Sequence, residues 1–186
     1  MENASQPPEI VLVAHGNLTR VKELLAQDPS LLNTLYAPWK ETPLGAASHV
    51  GNREIAEYLL QQGAPLTIPT AAMLGRVEAV KSFLSADPQN AHAAGAHDIS
   101  LLFHAAYSGD IHLADLLVEA GASTESAGEA IQAAVQSGKF EMVRWLLDHG
   151  ADPNIPDFRG KKPLTIAREN GQPAIADLLS KSGAVA

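Results

Sequence analysis

The chain contains no cysteine, which excludes disulfides, thiolate metal ligands and a cysteine nucleophile. Aromatic residues are scarce, at 5%, a poor composition for an aromatic-rich β-sandwich. No apolar stretch approaches the roughly 20 residues that span a bilayer. The first eight residues lack a basic start leading into an apolar run, so no secretory leader and a cytoplasmic location are expected. Basic clusters are missing too. Lys161-Lys162 is the single adjacent basic pair, and the net charge is -8 at pH 7. A surface of that sign repels phosphate backbones, so nucleic-acid binding is not expected. Catalytic signatures are also absent: there is no Gly-x-Ser-x-Gly, no phosphate-binding glycine loop with lysine, and no His-Glu-x-x-His. The chain is not expected to be an enzyme, and no cofactor is expected.

What is present is enough apolar residue for a core, 46% against 18% charged, in a length of 186 residues. That composition belongs to a folded chain, not a disordered one. Self-comparison reveals a repeat. Glu41-Thr42-Pro43-Leu44-Gly45-Ala46-Ala47, Gly51, Leu59-Leu60 and Gly63-Ala64 align with Lys162-Pro163-Leu164-Thr165-Ile166-Ala167, Gly171, Leu178-Leu179 and Gly183-Ala184. The same ruler finds copies after Gly16, Gly75, Gly109 and Gly138. The copies after Gly16 and Gly75 end in Asp28-Pro29 and Asp87-Pro88 instead of Gly-Ala. Six copies result, approximately 9–40, 41–66, 67–98, 99–125, 126–160 and 161–184, behind a flexible tail over 1–8.

Each copy reads as two helices. After the mid-repeat glycine, apolar residues recur at three- and four-residue spacing, as in Phe140, Met142, Val143, Trp145, Leu146 and Leu147; that is one face of a helix. Trp145, and Tyr58 at the equivalent place, are expected in the core. The first helix carries small pairs, Ala46-Ala47, Ala71-Ala72, Ala105-Ala106 and Ala133-Ala134, which let backbones approach. Neither helix buries its face alone, so the copies must stack along one apolar seam.

The run Gly150-Ala151-Asp152-Pro153-Asn154-Ile155-Pro156-Asp157-Phe158-Arg159-Gly160-Lys161-Lys162-Pro163-Leu164 resembles the ankyrin-repeat family almost position by position. The resemblance implies an all-α solenoid of about six helix-turn-helix repeats with short β-hairpin fingers. Asp157 to Gly160 suits a type I turn at a finger tip. Gaps between mid-repeat glycines are 35, 24, 34, 29 and 33 residues, against a family period of about 33. Full fingers are therefore expected near 33–42, 90–100 and 153–162, with truncated junctions at 63–70 and 123–128. The family's His after Pro-Leu is replaced by Gly45, Phe103 and Thr165, so its bonds between repeats must be absent or replaced.

The resemblance further implies binding of another protein through the concave face and finger tips. Carried over by position, the candidate contact residues are Tyr36, Trp39, His49, Val50, Met73, His104, Tyr107, Phe158 and Arg159. Aromatic and arginine side chains dominate interface hot spots. Two readings of Trp39 stay open: a partner contact, or a side chain folded back with Tyr36 to cap the first repeat. The expected partner is a protein, the expected state a monomer, and no membrane is involved. His92, His97 and His104 match no zinc-ligand spacing, so no metal is expected; His49 and His104 are placed along the groove. The alternative function is a small-ligand-binding protein or degenerate enzyme, with a pocket beside Met73, His104 and Tyr107 at the shortened junctions.

Overall fold

The computed structural model describes residues 6–124 and 127–185. The first five residues of the expected tail, and residues 125 and 126 of the second short junction, lie outside the described residues. The described residues contain twelve α-helices: α1 (Glu9–Val13), α2 (Leu18–Gln27), α3 (Pro43–His49), α4 (Arg53–Gln61), α5 (Ile68–Met73), α6 (Val77–Ala86), α7 (Leu101–Ser108), α8 (Ile111–Glu119), α9 (Ala127–Gln136), α10 (Phe140–Asp148), α11 (Pro163–Glu169) and α12 (Pro173–Lys181). They form six pairs, and the fold is the expected all-α solenoid.

Local chemistry starts six of these helices. Thr42, Thr67 and Ser100 accept from the backbone N–H three residues on, at 3.1, 3.4 and 3.3 Å, and so cap α3, α5 and α7. Asn17, Asn52 and Asp110 cap α2, α4 and α8 in the same way, at 3.0, 3.1 and 3.1 Å. Such a cap satisfies one of the amide donors left free at a helix start. Where Asp28-Pro29 and Asp87-Pro88 replace Gly-Ala, the aspartate instead caps a short 3-10 turn, accepting from Ser30 and Gln89 at 2.9 Å.

First helices stack side by side in chain order, from α1 through α11. The alanine pairs 46-47, 71-72, 105-106 and 133-134 are all fully buried, as close helix approach requires. In α10, Met142, Val143, Trp145 and Leu146 are buried while Glu141 and Arg144 face out. Trp145 donates from Nε1 to Asp115 at 2.7 Å and stacks on the exposed His149 at 3.7 Å. Tyr58 is half-buried against the core of the first repeats. The apolar interior is three clusters rather than one seam: one through the first three repeats, one under the third and fourth, and one through the last three. Tyr107 packs against both the first and the last.

Fingers appear where the long gaps place them. Tyr36 and Glu41 exchange backbone hydrogen bonds of 2.8 and 3.2 Å. Ala94 and Ser100 form a second antiparallel bridge. In the last finger Asp157 N–H donates to Lys161 O at 2.8 Å. The interval 62–67 between α4 and α5 carries no such bridge. A buried hydroxyl pair, Ser48 Oγ and Thr70 Oγ1 at 2.8 Å, joins α3 to α5.

One turn shows how tightly the stack is fitted. Gly51, after α3, has φ of +70°, and a Cβ there would stand 2.3 Å from the ring of Tyr107. Gly171 has a similar φ of +64° with open space beside it. A side chain at positive φ costs about 1 kcal/mol or more. Gly171→Ala should lower unfolding free energy by about 1 kcal/mol. Gly51→Ala should cost about 2 kcal/mol or more, because Tyr107 must also move. Urea unfolding of the two variants checks the difference.

Candidate functional site

Side chains on fingers and first-helix ends build the candidate face. Fingers are numbered by the repeat junction they occupy, so that 33–42 is the first, the truncated 63–70 junction stands in the second place and 90–100 is the third. Trp39 of the first finger meets Tyr36 edge-to-face at 5.0 Å and His97 of the third finger at 5.3 Å. It is half-buried, so it folds back onto Tyr36 while keeping part of its surface open. Leu35 beside them is 59% exposed. His49 and Val50, at the end of α3, are half-buried. In the last finger Phe158 is 94% exposed. Its backbone is fixed by Asp157, whose Oδ1 accepts from the N–H groups of Arg159 and Lys161 at 2.9 Å. The Arg159 guanidinium donates to Asp157 Oδ2 at 2.7 and 2.9 Å and sits 5.3 Å from the Phe158 ring centre.

Met73 and His104 do not belong to this face. Met73 is buried because α5 has only six residues and is flanked by α3 and α7. His104 is fully buried, its ring so close to Gly95 that a Cβ there would stand 2.6 Å away. Its Nδ1 pairs with Ser100 O at 2.8 Å, while its Nε2 is buried without a partner. Tyr107 is half-buried; its ring covers Gly51 and its hydroxyl donates to Gln136 at 3.3 Å. Burial pushes its phenol up to about 12. Met73 and His104 are thus core side chains, and the cavity at the second shortened junction is lined instead by Ala91, His92, Leu102, Ala122 and Ser123.

Glu41 is the residue that the sequence reading missed. It lies at the base of the first finger and is completely buried. Three imidazoles face its Oε1: His49 Nδ1 at 2.8 Å, His15 Nε2 at 3.5 Å and His97 Nε2 at 3.5 Å. Neighbouring rings lie edge-on, His15 to His49 at 5.0 Å and His49 to His97 at 5.1 Å. Burial alone would raise the Glu41 carboxyl, but the facing His15 and His49 outweigh it and hold it at about 2. His15 is raised in turn by Glu41. The signal was in the aligned copies, where His15 and His49 fall at matching ends of neighbouring first helices. His97 carried no such signal. It arrives because the missing second finger brings the first and third together, where Lys40 also donates to Asp98 at 2.7 Å.

Comparison with known proteins adds to this geometry. A family model of three ankyrin repeats matches residues 68–157 and again 102–185, and a single ankyrin repeat matches 39–71. The chain is a member of the ankyrin-repeat family. A protein named for its ankyrin repeats, YahD of Escherichia coli (strain K12), is 51% identical over 43 residues, 23% of this chain and 21% of that protein. Cyclin-dependent kinase inhibitor 2A of Homo sapiens is 37% identical over 65 residues, 35% of this chain and 41% of the inhibitor. The chain thus spans less than half the length of these relatives. The crystal structure of an ankyrin repeat domain from Acinetobacter baumannii AYE is similar with a TM-score of 0.52 at 24% identity, covering 95% of this chain and 98% of that one; this likeness shows the fold. Among the described residues, no helix of the ankyrin array is long and apolar enough to cross a membrane.

The ankyrin array should be sensitive to mild acid through His104. Burial lowers this imidazole from 6.5 to about 4. Between those values the unfolded chain binds the proton and the folded chain does not, so stability falls as pH falls. His15, raised in the fold, acts in the opposite sense: its contribution is present below 6.5 and lost as pH rises through its folded value. The Glu41 contribution is lost only as pH drops from about 4.5 towards 2. From pH 7 to pH 5 the His104 effect amounts to about 2 kcal/mol. Urea unfolding at both pH values should show that His104 loss, offset in the parent by the opposing His15 contribution, as the difference between the pH responses of the parent and of His104→Gln.

Proposed function

We propose that this ankyrin array is a protein-docking module, an adaptor or regulator of one partner protein, which binds through its finger tips and the row of first helices. Ankyrin repeats generally mediate protein–protein interaction. The observation that carries the reading is Phe158. A phenylalanine 94% exposed adds nothing to the core, yet the turn beneath it is pinned by a ring of hydrogen bonds to Asp157. A large apolar side chain presented in water on a fixed backbone turn is ready to bind, because little backbone freedom remains to be lost. Leu35 and Trp39 on the first finger, with His49 and Val50 at the end of α3, give a matching apolar and aromatic surface. Tyr36 and Tyr107 support it from below. Arg159 offers a guanidinium beside the Phe158 ring.

A net charge of -8 favours a partner with basic groups around an apolar patch and opposes nucleic acid. The name of one relative, the cyclin-dependent kinase inhibitor, describes a protein that acts on another protein. The array is proposed to act as a monomer in the cytoplasm, without catalysis. The small-ligand alternative draws less support, because Met73 and His104 are buried and so are not available to line a pocket.

The test uses the chain as bait in host extract, with Phe158→Ser and Leu35→Ser made separately. Each variant should retain its unfolding free energy within about 0.5 kcal/mol, since exposed positions contribute little to stability. Capture of the specific partner should fall at least about tenfold for Phe158→Ser, as loss of a hot spot implies. Equal capture by parent and both variants would reject docking by the fingers.

A further inference from the structure

We propose that His15, His49 and Glu41 form a binding site for a divalent transition metal of the zinc class, closed from the third finger by His97. The first reason is incomplete pairing. Glu41 is fully buried, yet neither of its oxygens accepts an aligned hydrogen bond, and the nearby His49 Nδ1 donates none. Buried polar groups are nearly always paired, and buried charges are paired or coordinate a metal. A simple ion pair built for stability would point an N–H along the line to the carboxylate.

The second reason is the tautomer of His15. Its Nδ1 lies 3.0 Å from the Leu12 carbonyl, a contact that places the ring hydrogen there. The lone pair on Nε2 is then left facing Glu41 Oε1 at 3.5 Å. An imidazole oriented by a backbone carbonyl with its other nitrogen free is the arrangement that metal-binding histidines use. Lone pair facing carboxylate is repulsive until a proton or a metal ion lies between them, and at pH above the His15 range the metal ion is the cation that can do so.

The third reason is the donor set and its spacing. The ligand atoms of His15, Glu41 and His49 lie within 4.8 Å of one another. Tetrahedral zinc, with bonds of about 2.0–2.1 Å, spaces its ligand atoms about 3.4 Å apart. The His15 and His97 distances to Glu41 Oε1 are both 3.5 Å, close to that spacing, and His49, at 2.8 Å, would draw back to reach it. Imidazole nitrogens with one carboxylate suit zinc and its neighbours better than magnesium or calcium. Solvent reaches the site through the histidines, whose side chains are 29%, 15% and 36% exposed for His15, His49 and His97. A bound ion would tie the end of α1, the base of the first finger, the end of α3 and the third finger to one point.

The untagged full chain, stripped with a chelator, is titrated with Zn2+ by calorimetry at pH 7.5. One ion per chain should bind, and Co2+ in its place should give the visible spectrum of a tetrahedral site. His15→Ala and His49→Ala should each weaken binding about 100-fold, His97→Ala about tenfold, and His112→Ala, outside the cluster, not at all. Zn2+ should raise the melting temperature of the parent and not that of His15→Ala. Should His49→Ala not fold, the half-exposed His15 still decides the matter. No saturable binding by the parent below about 100 μM zinc, or parental affinity in folded His15→Ala, overturns the proposal.

Discussion

Everything in this molecule depends on how closely its first helices approach one another. The fully buried alanine pairs along α3, α5, α7 and α9 set that distance. Helix axes about 8–10 Å apart are allowed only when the contact residues are small. With the first helices fixed, each second helix can bury one apolar stripe behind them, as α10 does through Met142, Val143 and Leu146. The fingers then emerge at defined spacing on the other side. The core that results is segmented into three clusters, and among the described residues Tyr107 packs against both outer ones. A residue placed by sequence at a binding surface thus proves to hold neighbouring segments together.

How much the sequence reveals differs by level. The paired helices and the three fingers follow from glycine spacing, capping residues and threefold-fourfold apolar recurrence, because these are local rules. Trp145 is legible for the same reason: its neighbours at helical spacing are all apolar. Met73 and His104 are not, since their burial depends on the length of α5 and on the lack of a side chain at Gly95. Burial of a histidine against a glycine 9 residues earlier in the chain leaves no periodic trace. Glu41 is hidden more deeply. Its surroundings come from three copies, and spacing rules written for ligands on one element cannot see them.

The face proposed for docking is also where the backbone is least relaxed. Lys40, His97 and Asp98 all have positive φ, of 50°, 57° and 58°. Residues other than glycine reach such values only where their surroundings impose them. Here the imposing contacts are the Lys40–Asp98 ion pair and the packing of His97 against Trp39 and His49. Both link the first finger to the third. The exposed ion pair is worth little by itself, but the aromatic contacts and the imidazoles around Glu41 act at the same junction. The shape of the first finger is therefore not a property of the first repeat alone.

Repeat arrays are usually treated as strings in which each unit feels only its two neighbours. The absent finger between α4 and α5 breaks that description here. It lets side chains two units apart touch, so the opening stretch of the array carries a coupling that skips over its middle member. Such a stretch should melt as a block instead of fraying unit by unit, and its copies are not exchangeable parts: grafting a standard loop onto that short junction would wedge apart groups that never share a repeat.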